Sequence, residues 1–213
     1  MPHGTNTVTP RLLLVRFASA EGRMRGARRH VVTRHPIQGL ERWQARSNSG
    51  SMPAPHAPSV RVRPVDGHDM PDLVRVDREA FPDDPMPYSV LRQFVDMFAE
   101  NLLVAEDGDG RVCAYLLATP PNRGESWIFS LGVAPGMRRH GLARALMRAS
   151  LENLRAEGAA TVLLWVEPNN KPAATLYDSF GFVSDPRGPR RDHFGPGADR
   201  IRMTLRLRPP TTP

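Results

Sequence analysis

Cysteine and lysine are almost absent from this chain of 213 residues, which has one of each, Cys113 and Lys171. A single cysteine excludes an intramolecular disulfide, and it also excludes a zinc site built from several cysteines. Cys113 lies in an apolar run, where a free thiol is usually buried. We therefore expect neither a disulfide framework nor a metal site.

Long apolar runs are also missing. The first run, residues 12–15, has four residues, whereas the apolar core of a signal peptide has about 7–15. No run approaches the roughly 20 residues that span a bilayer as a helix. We therefore expect a cytoplasmic protein with no membrane partner.

The net charge of +7 at first suggests a nucleic-acid partner. Residues 1–58 hold nine arginines and two acidic residues, so they account for the whole excess, and residues 59–213 are neutral. The same stretch is rich in proline, serine and histidine and has no sustained apolar periodicity, which predicts a disordered tail. A nucleic-acid arm is the less favoured alternative. Because Met52 immediately precedes the regular part, residues 1–51 are interpreted as a dispensable extension or as the result of a start codon placed too far upstream.

Regular elements follow the tail. Apolar periodicity and turn or stop glycines predict a strand at 60–65, helices at 70–81 and 88–99, strands at 102–105, 112–119 and 127–133, a helix at 142–157, a strand at 161–166, a helix at 173–180 and a strand at 201–207. This order, β-α-α-β-β-β-α-β-α-β, is typical of an α/β (α+β) domain with a mixed sheet and helices packed on it. We expect one domain over 59–208 and a disordered C-terminus at 209–213.

The segment that is most informative about function runs from a strand through a glycine loop into a helix. It reads LGVAPGMRRHGLAR and occupies residues 131–144. The first turn of a helix presents backbone N–H groups and the positive end of the helix dipole, and Gly141 allows a phosphate to approach the backbone. Arg138, Arg139 and Arg144 add positive charge beside it. The sequence has neither the P-loop ending nor the GxGxxG fingerprint, so it disfavours nucleotide hydrolysis and hydride transfer.

Two motifs resemble the signatures of the GNAT superfamily of N-acetyltransferases. RRHGLA, at 138–143, is similar to the family's R/Q-x-x-G-x-G/A loop, and the strand before it ends in Leu-Gly-Val-x-Pro as in that family. Residues 164–182 are similar to the family pattern L-x-V-x-x-x-N-x-x-A-x-x-L-Y-x-x-x-G-F. The resemblance covers residues 60 to about 207, and it partly extends to ribosomal-protein N-terminal acetyltransferases. It implies a mixed, mostly antiparallel central sheet flanked by helices.

The resemblance also implies that acetyl-CoA is the co-substrate, and it assigns residues to its parts. The pantetheine arm would run along Leu131, Gly132 and Val133, with Asn170 nearby. The pyrophosphate would lie on the loop and the helix start, which are formed by Arg138, Arg139, His140, Gly141, Leu142, Ala143 and Arg144. Many family members have glycine where this chain has Ala143, a change within the tolerated pattern. No metal is implied.

The implied chemistry requires an acid and a base, because a neutral amine attacks a thioester and a thiolate leaves. The resemblance places the thioester near Tyr177, and we assign this phenol as the acid because a phenol with a pKa of about 10 stays protonated at neutral pH. The backbone amide of Val133 would stabilise the oxyanion. Ribosomal-protein acetyltransferases carry a glutamate at the position of Trp165, so their base does not transfer. Glu167, which shares that face if the strand continues, Glu79 on the first helix and a water chain remain open as the base.

These motifs predict an N-acetyltransferase that transfers an acetyl group from acetyl-CoA to a primary amine by direct attack within a ternary complex. The acceptor stays open between a small metabolite and a peptide N-terminus, because the loops at 81–90, 119–127 and 184–199 follow no recognisable pattern. Two alternatives belong to other classes: a catalytically inactive GNAT-fold module that binds acyl-CoA, and a nucleic-acid-binding protein that acts through its basic tail. A homodimer is compatible with the sequence.

Overall fold

The computed structural model describes residues 60–207 and the backbone of residues 16–17. The rest of the tail predicted at 1–58 lies outside the described residues, as does the C-terminal segment predicted at 209–213. Disorder in these two segments therefore stays a prediction.

All ten predicted elements are present in the predicted order, and two short strands, β1 and β7, are added. The elements are β1 Arg16–Phe17, β2 Arg61–Pro64, α1 Met70–Ala80, α2 Tyr88–Phe98, β3 Leu102–Glu106, β4 Val112–Ala118, β5 Glu125–Val133, α3 Leu142–Ala156, β6 Thr161–Val166, α4 Lys171–Asp178, β7 Val183–Ser184 and β8 Ile201–Arg206. The strand order in the sheet is β2-β3-β4-β5-β6-β8-β7, and β1 pairs with β5 off this path. Neighbours are antiparallel except that β5 pairs in parallel with β6 and with β1. The predicted mixed, mostly antiparallel sheet is confirmed.

The pairing between β5 and β6 ends partway along the two strands. It joins residues 125–127 of β5 to residues 161–163 of β6, and no pair of the two strands follows. A bulge lies just beyond, because Leu117 pairs with Ser130 while Ala118 pairs with Ile128, which leaves Phe129 as the extra residue. The two strands therefore separate toward their carboxyl ends and leave an opening in the sheet.

The two sides of the sheet carry separate apolar clusters. The larger one includes Leu146 and Met147 of α3 and Tyr177 of α4, and the smaller one includes Leu73 of α1 and Leu91 of α2. Burial of such side chains contributes roughly 1.5–3 kcal/mol each, which makes these clusters the main stabilising feature of the fold. Within the described residues, no helix is both long and apolar enough to cross a bilayer.

Candidate functional site

The loop between β5 and α3 has the geometry expected of an anion site. Gly141 is the N-cap of α3 and has φ +82°, a conformation that residues with a Cβ rarely adopt. Because glycine has no side chain to cap the helix, the first-turn amides of α3 meet no N-cap side chain. Arg138 is half-buried and its Nε donates to the carbonyl oxygen of Val133 at 3.4 Å, whereas Arg139 and Arg144 are exposed.

A cavity of about 310 Å³ lies between the end of β5, this loop and α4. Its lining residues are Leu131, Val133, Met137, Arg138, Arg139, Gly141, Leu142, Ala143, Arg144, Pro172 and Leu176. Most of the residues assigned to acetyl-CoA from the sequence are therefore brought together. Met137, Pro172 and Leu176 were not singled out from the sequence, although Pro172 and Leu176 lie inside the second motif.

Three residues assigned to the coenzyme do not line this cavity. Gly132 is covered by the Tyr115 ring, since a Cβ there would lie 2.6 Å from Tyr115 Cε1. His140 is exposed, and its Nδ1 lies 3.0 Å from the carbonyl oxygen of Arg138. Asn170 is buried as the N-cap of α4, where its Oδ1 accepts from the amide of Ala173 at 3.2 Å. Their contact with a coenzyme stays a prediction.

Along β5, successive residues direct their backbone N–H and C=O groups toward opposite edges of the strand. The amide of Ala134 donates to the carbonyl of Cys113 at 2.9 Å, and Val133 lies opposite Ala114. Hydrogen-bonded and non-bonded pairs alternate along an antiparallel ladder, so the N–H and C=O of Val133 point away from β4. Leu131 lies two residues earlier and has the same orientation. Both residues therefore direct backbone groups into the opening between β5 and β6.

The same edge of β5 also receives β1. Arg16 pairs with Ser130 and Phe17 pairs with Leu131, in parallel, and β1 also contacts β6. The backbone of residues 16–17 thus lies in the opening beside Leu131, a residue assigned from the sequence to the pantetheine arm.

Tyr177 is completely buried and does not line the cavity, although its neighbour Leu176 does. Its ring packs against Phe182 with the ring centroids 5.7 Å apart. Burial raises the pKa of Tyr177 above its usual value, so the phenol is protonated at neutral pH. This protonation state is the one that the assigned acid requires.

Neither of the two candidate carboxylates lines the cavity. β6 ends at Val166, so the strand does not continue through Glu167, and the exposed Glu167 forms an ion pair with Arg200 at 3.1 Å. The condition under which Glu167 would share the face of Trp165 is therefore not met. Glu79 is exposed on α1 and pairs with Arg75 at 3.4 Å.

The two tryptophans on β5 and β6 stack on each other with ring centroids 6.3 Å apart. Trp165 is covered further by His193, at 4.1 Å, and by the guanidinium of Arg190, at 5.1 Å. Burial lowers the pKa of His193, and the nearby charges of Arg190 and Arg200 act in the same direction. Trp165 is thus a buried aromatic residue that is packed on both sides by other side chains.

Polar residues that the sequence did not single out form a buried network under Gly132. The hydroxyl of Tyr115 donates to Asp77 Oδ1 at 2.6 Å, and it lies 2.8 Å from the hydroxyl of Ser130. All three side chains are buried. Nothing in the sequence pattern joins them, since they come from α1, β4 and β5.

Cys113 is buried on β4, and its thiol lies 3.3 Å from Asp107 Oδ2. Burial, together with this carboxylate, raises the pKa of Cys113 to about 11. We predict that iodoacetamide alkylates the folded protein at pH 8 about 100-fold more slowly than it alkylates the protein in denaturant, because the thiolate is the reactive form. Intact-mass measurement over time tests this prediction, and equal rates in the two states would contradict it.

No group of three or more histidine, cysteine, aspartate or glutamate side chains in the described part of the chain could hold a metal ion. The cavity is lined by apolar side chains, by three arginines and by the first turn of α3.

Comparisons with known proteins agree with this geometry. A family model, described as the acetyltransferase (GNAT) family, matches residues 68–182. A mycothiol acetyltransferase of Stackebrandtia nassauensis is 34% identical over 171 residues, which cover 74% of this chain and 55% of that protein. The chain spans less than two thirds of the length of the curated relatives that it matches.

Solved structures show the same fold. The ribosomal-protein-S18-alanine N-acetyltransferase of Escherichia coli is 23% identical with a TM-score of 0.60, over 72% of this chain and 99% of that one. The yncA protein of Salmonella typhimurium, solved with its cofactor acetyl-CoA, is 20% identical with a TM-score of 0.61, over 73% of this chain and 98% of that one. Since the family model matches more than half of the residues, the chain belongs to the GNAT acetyltransferase family.

Proposed function

We propose that this protein transfers an acetyl group from acetyl-CoA to a primary amine by direct attack within a ternary complex. The observation that carries the proposal is the cavity between β5, α4 and the glycine-capped start of α3, which combines apolar walls with three arginines. The pantetheine arm of acetyl-CoA, with methylene and methyl groups between its two amides, can contact the apolar walls, and the pyrophosphate that follows it can contact the arginines. The solved acetyl-CoA complex of the related fold supports the same choice of ligand.

We propose an orientation of acetyl-CoA that places its charged part at the positive end of α3 and its pantetheine arm beside β5. The pyrophosphate binds the amides of residues 142–144, where the helix dipole is positive, and Arg138, Arg139 and Arg144 supply charge. The pantetheine arm lies in the opening of the sheet, where the backbone groups of Leu131 and Val133 are directed.

The proposed reaction begins when the neutral amine attacks the thioester carbonyl carbon and a C–N bond forms. The N–H of Val133 points into the opening and stabilises the negative oxygen of the intermediate. The C–S bond then breaks, Tyr177 protonates the leaving thiolate, and the tyrosinate so formed regains a proton from water. The amine proton passes to Glu167, to Glu79 or to water, and water is favoured because neither carboxylate lines the cavity.

A covalent acetyl-cysteine route is disfavoured. Cys113 is the chain's single cysteine, and it is buried with its pKa raised to about 11. A thiol in that state is a poor nucleophile at neutral pH. The acetyl group therefore passes directly from coenzyme to amine.

Because β1 occupies the edge of β5 that the pantetheine arm needs, we predict that removal of β1 strengthens acetyl-CoA binding. A chain that starts at Met52 should bind acetyl-CoA about five times more tightly than the full chain, since roughly one hydrogen bond's net free energy, about 1 kcal/mol, no longer opposes binding. Isothermal titration calorimetry tests this prediction. The control is a chain that starts at Glu21, which lacks residues 1–20, and therefore β1, but keeps residues 21–51. Tighter binding by the full chain would contradict the prediction.

The acceptor is proposed to be a primary amine of a small metabolite or a peptide N-terminus. The curated relatives are named mycothiol acetyltransferases, which supports the mycothiol precursor that lacks the acetyl group. The structural relative that acts on ribosomal-protein alanine supports a peptide with a free N-terminal alanine. The protein is proposed to work in the cytoplasm, as a monomer or a homodimer.

The test of this function is an amine-panel assay that follows release of the CoA thiol. The panel contains the mycothiol precursor, a peptide that begins with alanine, spermidine and an aminoglycoside, with acetyl-CoA alone as the blank. We expect at least one amine to raise thiol release well above the blank and to appear as its N-acetyl product in mass spectra.

A second candidate is a catalytically inactive module that binds acyl-CoA. It is favoured by the complete burial of Tyr177 and by the exposure of both candidate carboxylates. Saturable acetyl-CoA binding with no thiol release above the blank for any amine would select this candidate. The third class, a nucleic-acid-binding protein, predicts salt-dependent DNA binding by the full chain that is lost when the chain starts at Met52.

A further inference from the structure

Asp77 is a completely buried carboxylate on α1 that the proposed reaction does not use. Its Oδ1 accepts from the hydroxyl of Tyr115 at 2.6 Å, and its Oδ2 accepts from the amide of Met86 at 2.6 Å. The Tyr115 hydroxyl in turn lies 2.8 Å from the hydroxyl of Ser130. One side chain thus connects α1, the loop at 81–87, β4 and β5.

The loop that Asp77 holds begins beside the reacting end of β5. The amide of Phe81 donates to the backbone carbonyl of Asp77 at 2.8 Å. A Cβ on Gly132 would lie 3.3 Å from Phe81 Cε2 and 2.6 Å from Tyr115 Cε1, so both rings cover this glycine. Leu131 and Val133 belong instead to the cluster that contains α3. Gly132 and the loop therefore lie on the face of β5 opposite the coenzyme cavity.

This loop is suited to an amine that arrives as a cation. It carries Asp83, which is exposed, and Asp84, which is half-exposed. The loop begins at Phe81, whose ring covers Gly132, and Gly132 lies between Leu131 and Val133, the two residues that direct backbone groups toward the proposed thioester. The exposed carboxylate of Asp83 attracts a protonated amine to this end of β5 before the amine loses its proton.

We propose, on the basis of the proposed function, that Asp77 is a positioning residue for the acceptor. It fixes the loop at 81–87 against β5 and so sets where the amine approaches, and it takes no proton itself. The acceptor class that this loop selects is a cationic amine. The coenzyme half of the site does not depend on Asp77, because the cavity is lined from β5, the following loop, α3 and α4.

Two substitutions separate positioning from proton transfer. In Asp77→Asn, Oδ1 can still accept from the amide of Met86 while Nδ2 donates to the hydroxyl oxygen of Tyr115, which then donates to Ser130. This variant keeps the connections and loses the charge. Asp77→Ala loses both connections. Val76→Ala is the matched control, since Val76 is completely buried on the same helix and makes no hydrogen bond to the loop.

The experiment uses the full chain and three measurements: hydrogen exchange of the peptide that covers 81–88, calorimetric binding of acetyl-CoA, and kcat and KM for the amine with the highest rate in the panel. We expect Asp77→Ala to raise exchange of the loop and KM for the amine by roughly tenfold or more, because the Met86 amide loses its acceptor. Acetyl-CoA affinity should stay within about twofold, and Asp77→Asn should stay within about threefold of wild type throughout. Val76→Ala should lower Tm without raising that KM.

Three results would overturn the proposal. A large loss of kcat in Asp77→Asn with unchanged loop exchange would make Asp77 a proton acceptor. An equal rise of KM in Asp77→Ala and Val76→Ala would show a general loss of stability. Unchanged loop exchange in Asp77→Ala would show that the loop does not depend on this carboxylate. If no amine is turned over, the proposed function fails, whereas the exchange measurement still decides whether Asp77 orders the loop.

Discussion

Replacing Tyr177 by phenylalanine is expected to lower kcat for amine acetylation by about 100-fold, the lower range for loss of a general acid. The substitution removes one oxygen and leaves the ring packed against Phe182. Because burial raises the pKa of Tyr177, the wild-type phenol stays protonated, and kcat should not fall between pH 8 and pH 10 through ionisation of this group. The affinity for acetyl-CoA should not change.

The control for this variant is Tyr88→Phe, which removes the same atom from an exposed tyrosine on α2. It should leave kcat, KM and Tm at wild-type values. Thiol release by Tyr177→Phe at the wild-type rate would remove Tyr177 from the acid role and leave it as a core aromatic residue.

Replacing Gly141 by aspartate is expected to weaken acetyl-CoA binding by about 100-fold or more. The new carboxylate would stand at the positive end of α3, where it competes with the pyrophosphate for the same amides and repels its charge. A residue with a Cβ at φ +82° also strains the turn that shapes the loop. Calorimetric titration with acetyl-CoA measures the loss.

The matched control is Gly158→Asp, at φ +91° just beyond the other end of α3. It introduces the same side chain and a similar backbone strain far from the cavity. We expect it to lower Tm by a few degrees, as Gly141→Asp does, and to leave acetyl-CoA affinity unchanged. Equal affinities of the two variants would show that the start of α3 does not bind the coenzyme.

Most of the cavity lining could be predicted from the sequence because nearly all of these residues are contiguous. Strand, loop and helix start form one stretch at 131–144. The turn into the helix has a positive φ, which favours glycine, and the sequence has Gly141 at that position. The elements were predicted within a few residues for the same reason, since apolar period and stop glycines act locally. Among the residues that the structure describes, only β1 and β7, two residues each, were not predicted as strands.

The buried network that we propose positions the acceptor could not be predicted, because its contacts join residues that are far apart in sequence. Asp77, Tyr115 and Ser130 meet only after the helix packs on the sheet, and no local pattern marks them as partners. The bulge at Phe129 and the point where β5 and β6 separate likewise depend on pairing between strands. Glu167 illustrates the same limit, since the strand that was to carry it ends one residue earlier.

The dependence of initial rate on both substrates tests the central claim most directly. With the best amine of the panel, direct attack within a ternary complex predicts double-reciprocal lines that intersect as amine and acetyl-CoA are varied, together with an unmodified protein mass after incubation with acetyl-CoA alone. Parallel lines with a stably acetylated protein would contradict the account, because they would require a covalent acetyl intermediate on the chain.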